Sequence, residues 1–153
     1  MQPDLVCFNP ACRARFGITE VLYNCTRCGG LLEADYDFSA LDAAALKKTW
    51  RERRMSNAPL DQSGVWRYRE LFPFLAPEQE HNIITLREGN TPLLNAPRAA
   101  EYGGLAHLTF KHQGFNPTGS FKDNGMTAGA AQARRLGMKR VACVSPATKA
   151  WSA

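Results

Sequence analysis

The 153-residue sequence lacks the apolar run of roughly 18 residues that a membrane-spanning helix needs. It also lacks internal repeats, low-complexity segments and the basic start with an apolar stretch that marks a secretory signal, so we expect a cytoplasmic protein. Charged residues make up 22% and apolar residues 44% of the chain, which excludes wholesale disorder. The net charge of +5 is a modest excess that suits an anionic small ligand as well as it suits nucleic acid.

Four of the five cysteines lie within the first 28 residues, as the pairs Cys7–Cys12 and Cys25–Cys28. In a cytosolic chain such clustering favours a metal site over disulfides, and four thiolates satisfy the tetrahedral preference of zinc. We therefore predict a zinc-ribbon module over residues 1–38, with strands at 19–24 and 31–36 on either side of the second pair. Four unligated thiols and two redox-active pairs are the alternatives.

Residues 39–82 are predicted to form a helical linker that packs on the rest of the chain. A capping box that starts at Ser39 predicts a helix over 40–53. The basic end of this helix is interpreted as solvated, with a nucleic-acid patch as the alternative. The aromatic-rich segment 65–75 predicts a short helix that is ended by Pro73.

The remaining segment, 83–153, predicts an incomplete α/β domain. A strand over 107–111 leads into a loop rich in glycine, asparagine and proline, and a helix follows that ends at Gly137. A strand over 140–145, with Cys143 as a core residue, would complete a strand–helix–strand unit, which predicts a parallel sheet with a right-handed crossover.

The loop before this helix is the predicted ligand site, because ligands bind beyond the carboxyl ends of the strands in such sheets. Ser120 and Asp123 form a second capping box, which places Lys122 in the first helical turn. The positive helix end disfavours a cation there and favours the neutral amine that attacks an aldehyde. The same helix end attracts phosphate, so the pattern indicates a Schiff-base lysine beside a phosphate-bearing aldehyde. A surface lysine that only extends its amine to solvent is the alternative.

Three segments together resemble one enzyme family. The stretch 116–123, Asn-Pro-Thr-Gly-Ser-Phe-Lys-Asp, resembles the pyridoxal-phosphate attachment motif of the fold-type II enzymes and is most similar to that of the threonine synthases. The segment 88–93 resembles an upstream motif of that family, and the cysteine module that ends in 28–33 resembles the zinc ribbon that many threonine synthases carry. The resemblance extends over nearly the whole chain, to about Val144.

The resemblance implies a zinc ribbon followed by the truncated start of a fold-type II, tryptophan synthase β-like α/β domain. It implies a carbon–oxygen lyase of amino-acid biosynthesis that converts O-phosphohomoserine and water to threonine and phosphate. The implied ligands and partners are pyridoxal phosphate, a structural zinc ion and a small phosphorylated amino acid, with no nucleic acid, no membrane and a homo-oligomer in the full-length enzyme. Cysteate synthase and serine/threonine ammonia-lyase are alternatives on the same scaffold, and a zinc-ribbon binding module is an alternative of a different class.

The resemblance also implies a role for each matching residue. Lys122 would form the Schiff base and then shuttle protons, and Phe121 would pack against the cofactor ring. Ser120 and Asn116 would line the cofactor and substrate side of the loop. The implied zinc ligands are Cys7, Cys12, Cys25 and Cys28. The sequence departs from the family at Asn124, where an arginine is usual, and this puts a structural ion pair in question.

The C-terminal residues also depart from the family pattern. The chain reads Ser-Pro-Ala-Thr at 145–148 where the family carries Ser-Thr-Gly-Asn, and codons regrouped by one base can encode Thr, Gly and Asn. We therefore expect a frameshift near Ser145 with an unrelated tail over 149–153; a deliberately shortened chain is the competing account. We also expect this polypeptide alone to have negligible threonine synthase activity and to fold poorly beyond its ribbon, because the phosphate cup and most of the sheet would be missing.

Overall fold

The computed structural model describes residues 3–72 and 74–142. Its strands and helices are short, and they divide into an N-terminal sheet, a helical segment and a C-terminal hairpin with one longer helix. The strands are β1 (Asp4–Cys7), β2 (Arg15–Gly17), β3 (Leu32–Asp35), β4 (Leu93–Asn95) and β5 (Thr109–Lys111). The α-helices are α1 (Ala43–Arg53), α2 (Pro59–Gln62), α3 (Pro97–Tyr102) and α4 (Asp123–Arg135), and 3-10 helices span Trp66–Leu71, Pro77–Asn82 and Gln113–Phe115.

The N-terminal sheet is antiparallel, with β1 between β2 and β3. The predicted strand over 31–36 is confirmed as β3, but the predicted strand over 19–24 is wrong. The backbone N–H of Glu20 donates to the carbonyl of Gly17 at 3.0 Å, and the Glu20 carboxylate accepts from the Gly17 N–H at 2.6 Å. These bonds close a turn directly after β2, so the chain reverses there and cannot extend along the sheet.

Helix α1 begins three residues later than the capping-box pattern predicts. Its N-cap is Asp42, whose carboxylate accepts from the N–H groups of Ala44 and Ala45 at 2.9 and 3.0 Å. Ser39 instead donates its backbone N–H to the Asp37 carboxylate at 2.9 Å, and so belongs to the preceding turn.

The helical segment is held together by arginine–carboxylate pairs, so the interpretation of the α1 end as a solvated basic patch is wrong in part. Arg53, whose side chain is only 16% exposed, bonds to Glu70, and Arg69 pairs with Asp61 at 2.8 Å and with Glu80 at 2.9 Å. The predicted short helix over 65–75 is confirmed as the 3-10 helix Trp66–Leu71. Its first residue, Trp66, is fully buried, so this helix forms the hydrophobic anchor of the segment.

Helix α4 begins at Asp123, and the capping box predicted from Ser120 does not form. The Asp123 carboxylate instead accepts two hydrogen bonds from Thr118, one from its backbone N–H at 2.8 Å and one from its hydroxyl at 2.5 Å. The helix is followed by Gly137 with φ +70°, and the Met138 N–H donates to the Ala133 carbonyl at 2.9 Å, which confirms the predicted left-handed end.

The C-terminal segment is mixed α/β, but both sheets within residues 3–72 and 74–142 are antiparallel. The predicted strand over 107–111 is confirmed as β5, which pairs with β4. Residues 140–142 form no strand. The rest of the predicted strand at 140–145, Cys143, the frameshift position Ser145 and Pro73 lie outside the described residues. In the part of the chain that the structure describes, no helix is long and apolar enough to cross a membrane.

Candidate functional site

The four N-terminal cysteines converge between β1 and the turn before β3. Their sulfur atoms all lie within 4.8 Å of one another, with Cys7 and Cys28 at 3.4 Å and Cys12 and Cys25 at 3.8 Å. Thiolates around a tetrahedral zinc ion with bonds of about 2.3 Å would lie about 3.8 Å apart. All four are free thiols, and their spacing is therefore compatible with a metal ion at their centre.

Local turns explain why both cysteine pairs reach the same point. The four-residue gap of the first pair closes around Asn9, whose carbonyl accepts from the Cys12 N–H at 2.9 Å. In the second pair, Gly29 has φ +71°, and a Cβ on Gly30 would come within 3.3 Å of the Cys28 sulfur. The Gly29-Gly30 pair thus supplies both the left-handed turn and the space that the sulfurs need.

The thiols differ in acidity. Burial raises the pKa of the Cys7 thiol to about 12, and the neighbouring thiols act in the same direction. Burial also opposes ionisation of Cys25, but hydrogen bonds from the N–H groups of Arg27 and Cys28 outweigh it and lower the pKa of Cys25 to about 7. Cys25 therefore ionises at a lower pH than Cys7, and the Cys7 thiolate would need the charge of a cation nearby.

Lys122 is half-buried and lies directly before the first residue of α4. Its backbone N–H donates to the Ser120 hydroxyl at 3.2 Å, and its carbonyl accepts from the Met126 N–H at 2.9 Å. The adjacent Phe121 is 64% exposed. The loop over 116–122, which we call the lysine loop, thus carries an amine and an aromatic ring on consecutive residues directly before the N-terminus of α4.

Asn116 holds this loop against the turn at 87–92, which we call the upstream turn. Its side-chain carbonyl accepts from the Gly89 N–H at 2.7 Å, and its amide donates to the backbone and side-chain oxygens of Gln113 at 3.0 and 2.9 Å. Asn116 is only 4% exposed, so the amide is committed to contacts within the protein. The structure therefore gives Asn116 a positioning role, and its predicted contact with a cofactor stays a prediction.

The upstream turn is in turn fixed by the buried carboxylate of Glu88. This carboxylate accepts from the Ser63 hydroxyl at 2.7 Å, the Thr85 hydroxyl at 2.9 Å and the Leu86 N–H at 2.9 Å. Glu88 is 2% exposed, and these donors satisfy both oxygens of its carboxyl group. The turn thus connects the helical linker to the lysine loop through successive hydrogen bonds.

Helix α4 is tied to the linker by a second buried link. The Trp66 indole donates to the Thr127 hydroxyl at 2.7 Å, and that hydroxyl donates to the Ile84 carbonyl at 2.7 Å. Sequence patterns did not indicate Ser63, Trp66 or Thr127 as site-forming residues, because each acts on a partner more than twenty residues away. The aromatic density around Trp66 was the one local signal that could have pointed to it.

A cavity of about 520 Å³ lies beside the lysine loop. Pro117 and Thr118 line it from the loop, and Asp123, Met126, Ala130 and Ala133 line it from α4. Its walls are mostly apolar, with Glu88 and Asp123 as the acidic groups among the described residues that line it.

Comparison with known proteins relates this chain to pyridoxal-phosphate dependent enzymes and to threonine synthases. Residues 84–148 match the family described as pyridoxal-phosphate dependent enzyme. The chain is 42% identical over 134 residues to a threonine synthase of Methanosarcina acetivorans, an alignment that covers 88% of this chain and 29% of the relative. It is 38% identical over 134 residues to that of Methanocaldococcus jannaschii, with 88% and 30% covered, and 44% identical over 89 residues to that of Synechocystis, with 55% and 23% covered.

The chain thus spans less than a third of the length of these relatives. The resemblance drawn from the sequence motifs is nevertheless confirmed: this chain is a relative of the threonine synthases, and its C-terminal segment matches the pyridoxal-phosphate dependent enzymes.

Proposed function

We propose that this chain supplies the cofactor-binding lysine and a zinc ribbon to a threonine synthase-type lyase, which converts O-phosphohomoserine and water to threonine and phosphate. The observation that carries the proposal is the position of Lys122, half-buried at the start of α4 within the segment that matches the enzyme family. The names of the relatives favour threonine synthase over other chemistries on this scaffold.

The residues of the loop fit pyridoxal phosphate. The amine of Lys122 would hold the aldehyde carbon of the cofactor, and the exposed ring of Phe121 offers an apolar face for the pyridine ring. When bound, the cofactor supplies the electron sink for the carbanion chemistry of the reaction. Lys122 would also move a proton to and from the substrate carbons, since a released amine is a suitable general base.

The other loop residues would orient this amine. Ser120 would face the cofactor and substrate while its hydroxyl accepts from the Lys122 N–H. Asn116 would hold the loop in place through Gly89, so that the amine does not drift when the substrate enters. The substrate would be a phosphorylated amino acid, and the complete enzyme would be a cytoplasmic homo-oligomer. That the 153-residue polypeptide alone has negligible activity and folds poorly beyond its ribbon stays a prediction.

The cysteine cluster would bind one structural zinc ion through Cys7, Cys12, Cys25 and Cys28. The support is the mutual distance of the four sulfurs, all within 4.8 Å of one another, which is compatible with tetrahedral coordination. Such a site would stabilise a three-stranded sheet that has only a small core of its own, made of Cys7, Ala14 and Cys25 with a few partly buried neighbours.

Chemical trapping tests the role of Lys122. The chain is mixed with pyridoxal phosphate, reduced with borohydride and digested, and the labelled peptide is identified by mass spectrometry. We expect the label on Lys122 and an imine absorption band before reduction. Lys122→Arg should remove both signals because a guanidinium does not condense with the aldehyde, whereas Lys139→Ala, a change at an exposed lysine after α4, should keep them. A label that is confined to other lysines in the unchanged chain would refute the proposal.

A further inference from the structure

A second cavity, of about 590 Å³, lies between the end of α1 and the turn at 87–92. Three arginines, Arg54, Arg67 and Arg87, contribute to its wall, together with the amide side chains of Asn57, Gln62 and Asn90. None of the described residues that line it is acidic. The cavity is therefore polar and positively charged, unlike the mostly apolar cavity beside the lysine loop.

These three arginines differ from their neighbours in how their charge is balanced. Arg53 and Arg69, in the same helical segment, are paired with carboxylates. Over residues 3–72 and 74–142, Arg54, Arg67 and Arg87 form no ion pair with a carboxylate. Three positive charges thus face one cavity without a described counter-charge.

Arg67 is the central member of this group because it is only 4% exposed. Its Nε donates to the Asp61 carbonyl at 3.0 Å, and its Nη1 donates to the Asn90 side-chain oxygen at 3.4 Å. These neutral partners fix the orientation of the guanidinium but do not neutralise it. Burying an unpaired charge is unfavourable, and an anion in the cavity would compensate it.

The hydroxyl of Tyr68 shows that two of the arginines act on the same place. Burial tends to raise the pKa of Tyr68, but hydrogen bonds from Arg54 and Arg67 outweigh it and leave the pKa below its ordinary value. The positive potential of both guanidinium groups therefore stabilises negative charge at one oxygen.

The backbone at Arg87 gives independent support. Arg87 has φ +62°, in the left-handed region that favours glycine over residues with a Cβ. A non-glycine residue in this conformation is more common at functional sites, where the side chain has a functional role.

Thr91, which is 6% exposed and also lines the cavity, has a buried hydroxyl with no hydrogen-bond partner among the described residues.

We propose that this cavity binds a phosphate group, either as free phosphate or as the phosphoryl group of a small molecule. Arginine is the side chain best suited to a phosphate because its planar fork donates two parallel hydrogen bonds. The lining arginines come from the end of α1, from the 3-10 helix Trp66–Leu71 and from the 87–92 turn, so a bound phosphate would join three parts of the fold.

A titration of the 153-residue chain with inorganic phosphate, followed by phosphorus NMR, tests the site. Arg54→Gln and Arg87→Gln should each weaken binding roughly tenfold, the loss of one charge-assisted hydrogen bond. Arg51→Gln is the matched control: Arg51 is an exposed arginine on α1 that does not line the cavity, so its substitution removes the same charge and should change affinity less than about twofold. Arg87→Gly is a second test. It should weaken phosphate binding because the guanidinium is removed, but it should not lower the melting temperature because glycine adopts φ +62° without strain.

The titration is made on chain that unfolds cooperatively in urea; absence of saturable binding by this folded chain, or equal weakening by Arg51→Gln, would overturn the proposal. A parallel titration with O-phosphohomoserine identifies the source of the phosphate group. If O-phosphohomoserine binds more tightly than inorganic phosphate and Arg87→Gln weakens this binding, the ligand is a phosphorylated small molecule. If the two compounds bind with equal affinity, the ligand is free phosphate. Lys122→Arg should leave phosphate binding unchanged, so failure of the cofactor-trapping experiment and failure of this site remain distinguishable.

Discussion

The close contact between Gly64 and Gly89 should be the least tolerant point of the candidate site. A Cβ on Gly64 would lie 2.0 Å from the backbone nitrogen of Asn90, and no flexible side chain lies between them that could move aside. Gly64→Ala must therefore push the 87–92 turn away from the linker. That shift breaks the bond from the Gly64 N–H to the Glu88 carbonyl at 2.7 Å and the bond from the Ser63 hydroxyl to the Glu88 carboxylate at 2.7 Å. One neutral and one charge-assisted hydrogen bond together are worth about 3 kcal/mol.

Urea or thermal unfolding measures this loss. For a chain of this size, 3 kcal/mol corresponds to a melting temperature lowered by roughly 6–12 °C. Gly125→Ala in α4 is the matched control, because a Cβ there meets nothing within 4 Å, and a helical glycine costs about 1 kcal/mol relative to alanine. The control should therefore raise the melting temperature. If Gly64→Ala is as stable as the unchanged chain, the contact between the linker and the turn does not exist in solution, and the placement of the lysine loop through Asn116 fails with it.

Three further predictions concern the parts around this contact. Thr127→Val removes the acceptor of the Trp66 indole and the donor to Ile84, and should cost about 2 kcal/mol in unfolding free energy, whereas Thr109→Val on the exposed face of β5 should stay within about 0.5 kcal/mol. Burial tends to raise the pKa of Glu70, but hydrogen bonds from Arg53 and Trp50 outweigh it and hold the pKa below its ordinary value. The stability that Glu70 contributes is therefore complete above its unfolded pKa of about 4.3 and is lost as the pH falls through its folded pKa. Urea unfolding midpoints measured across acid pH should fall less steeply with decreasing pH for Glu70→Gln than for the unchanged chain. An identical pH dependence of the midpoint in both chains would contradict this. Metal analysis of the purified chain should find one zinc ion per chain, which is kept in Cys143→Ser and lost in Cys12→Ser. A chelator should unfold the ribbon. A zinc content that is unchanged in Cys12→Ser would rule out the site.

The local features of this chain could be predicted because their causes lie within a few neighbouring residues. Gly137 ends α4 in a left-handed conformation because an achiral residue is needed there, and the cysteine spacing required turns that the neighbouring asparagine and glycines provide. The errors also have local causes. Both capping boxes failed because a nearby residue competed for the same backbone groups: Asp42 caps α1 in place of Ser39, and Asp123 turns back to Thr118.

The architecture of the site could not be predicted, because its bonds join residues that no local pattern relates. Ser63 meets Glu88 across 25 positions, and Gly89 meets Asn116 across 27. A serine in a loop and an asparagine before a proline have many local explanations in sequence. Their partners become visible only when the backbone is folded.

The two proposed sites differ in how they could be recognised from the sequence, because one is built from consecutive residues and the other from residues far apart along the chain. The lysine loop carries its identity in consecutive residues, so it could be identified from sequence by resemblance. The arginines of the second cavity are 13 and 20 residues apart along the chain, at positions 54, 67 and 87, and each looks like an ordinary surface cation in sequence. Only the fold shows that Arg67 is buried and that its neighbours leave its charge unbalanced. Uncompensated buried charge is expensive enough that its persistence demands a cause, and a bound anion is the simplest cause that the described residues allow.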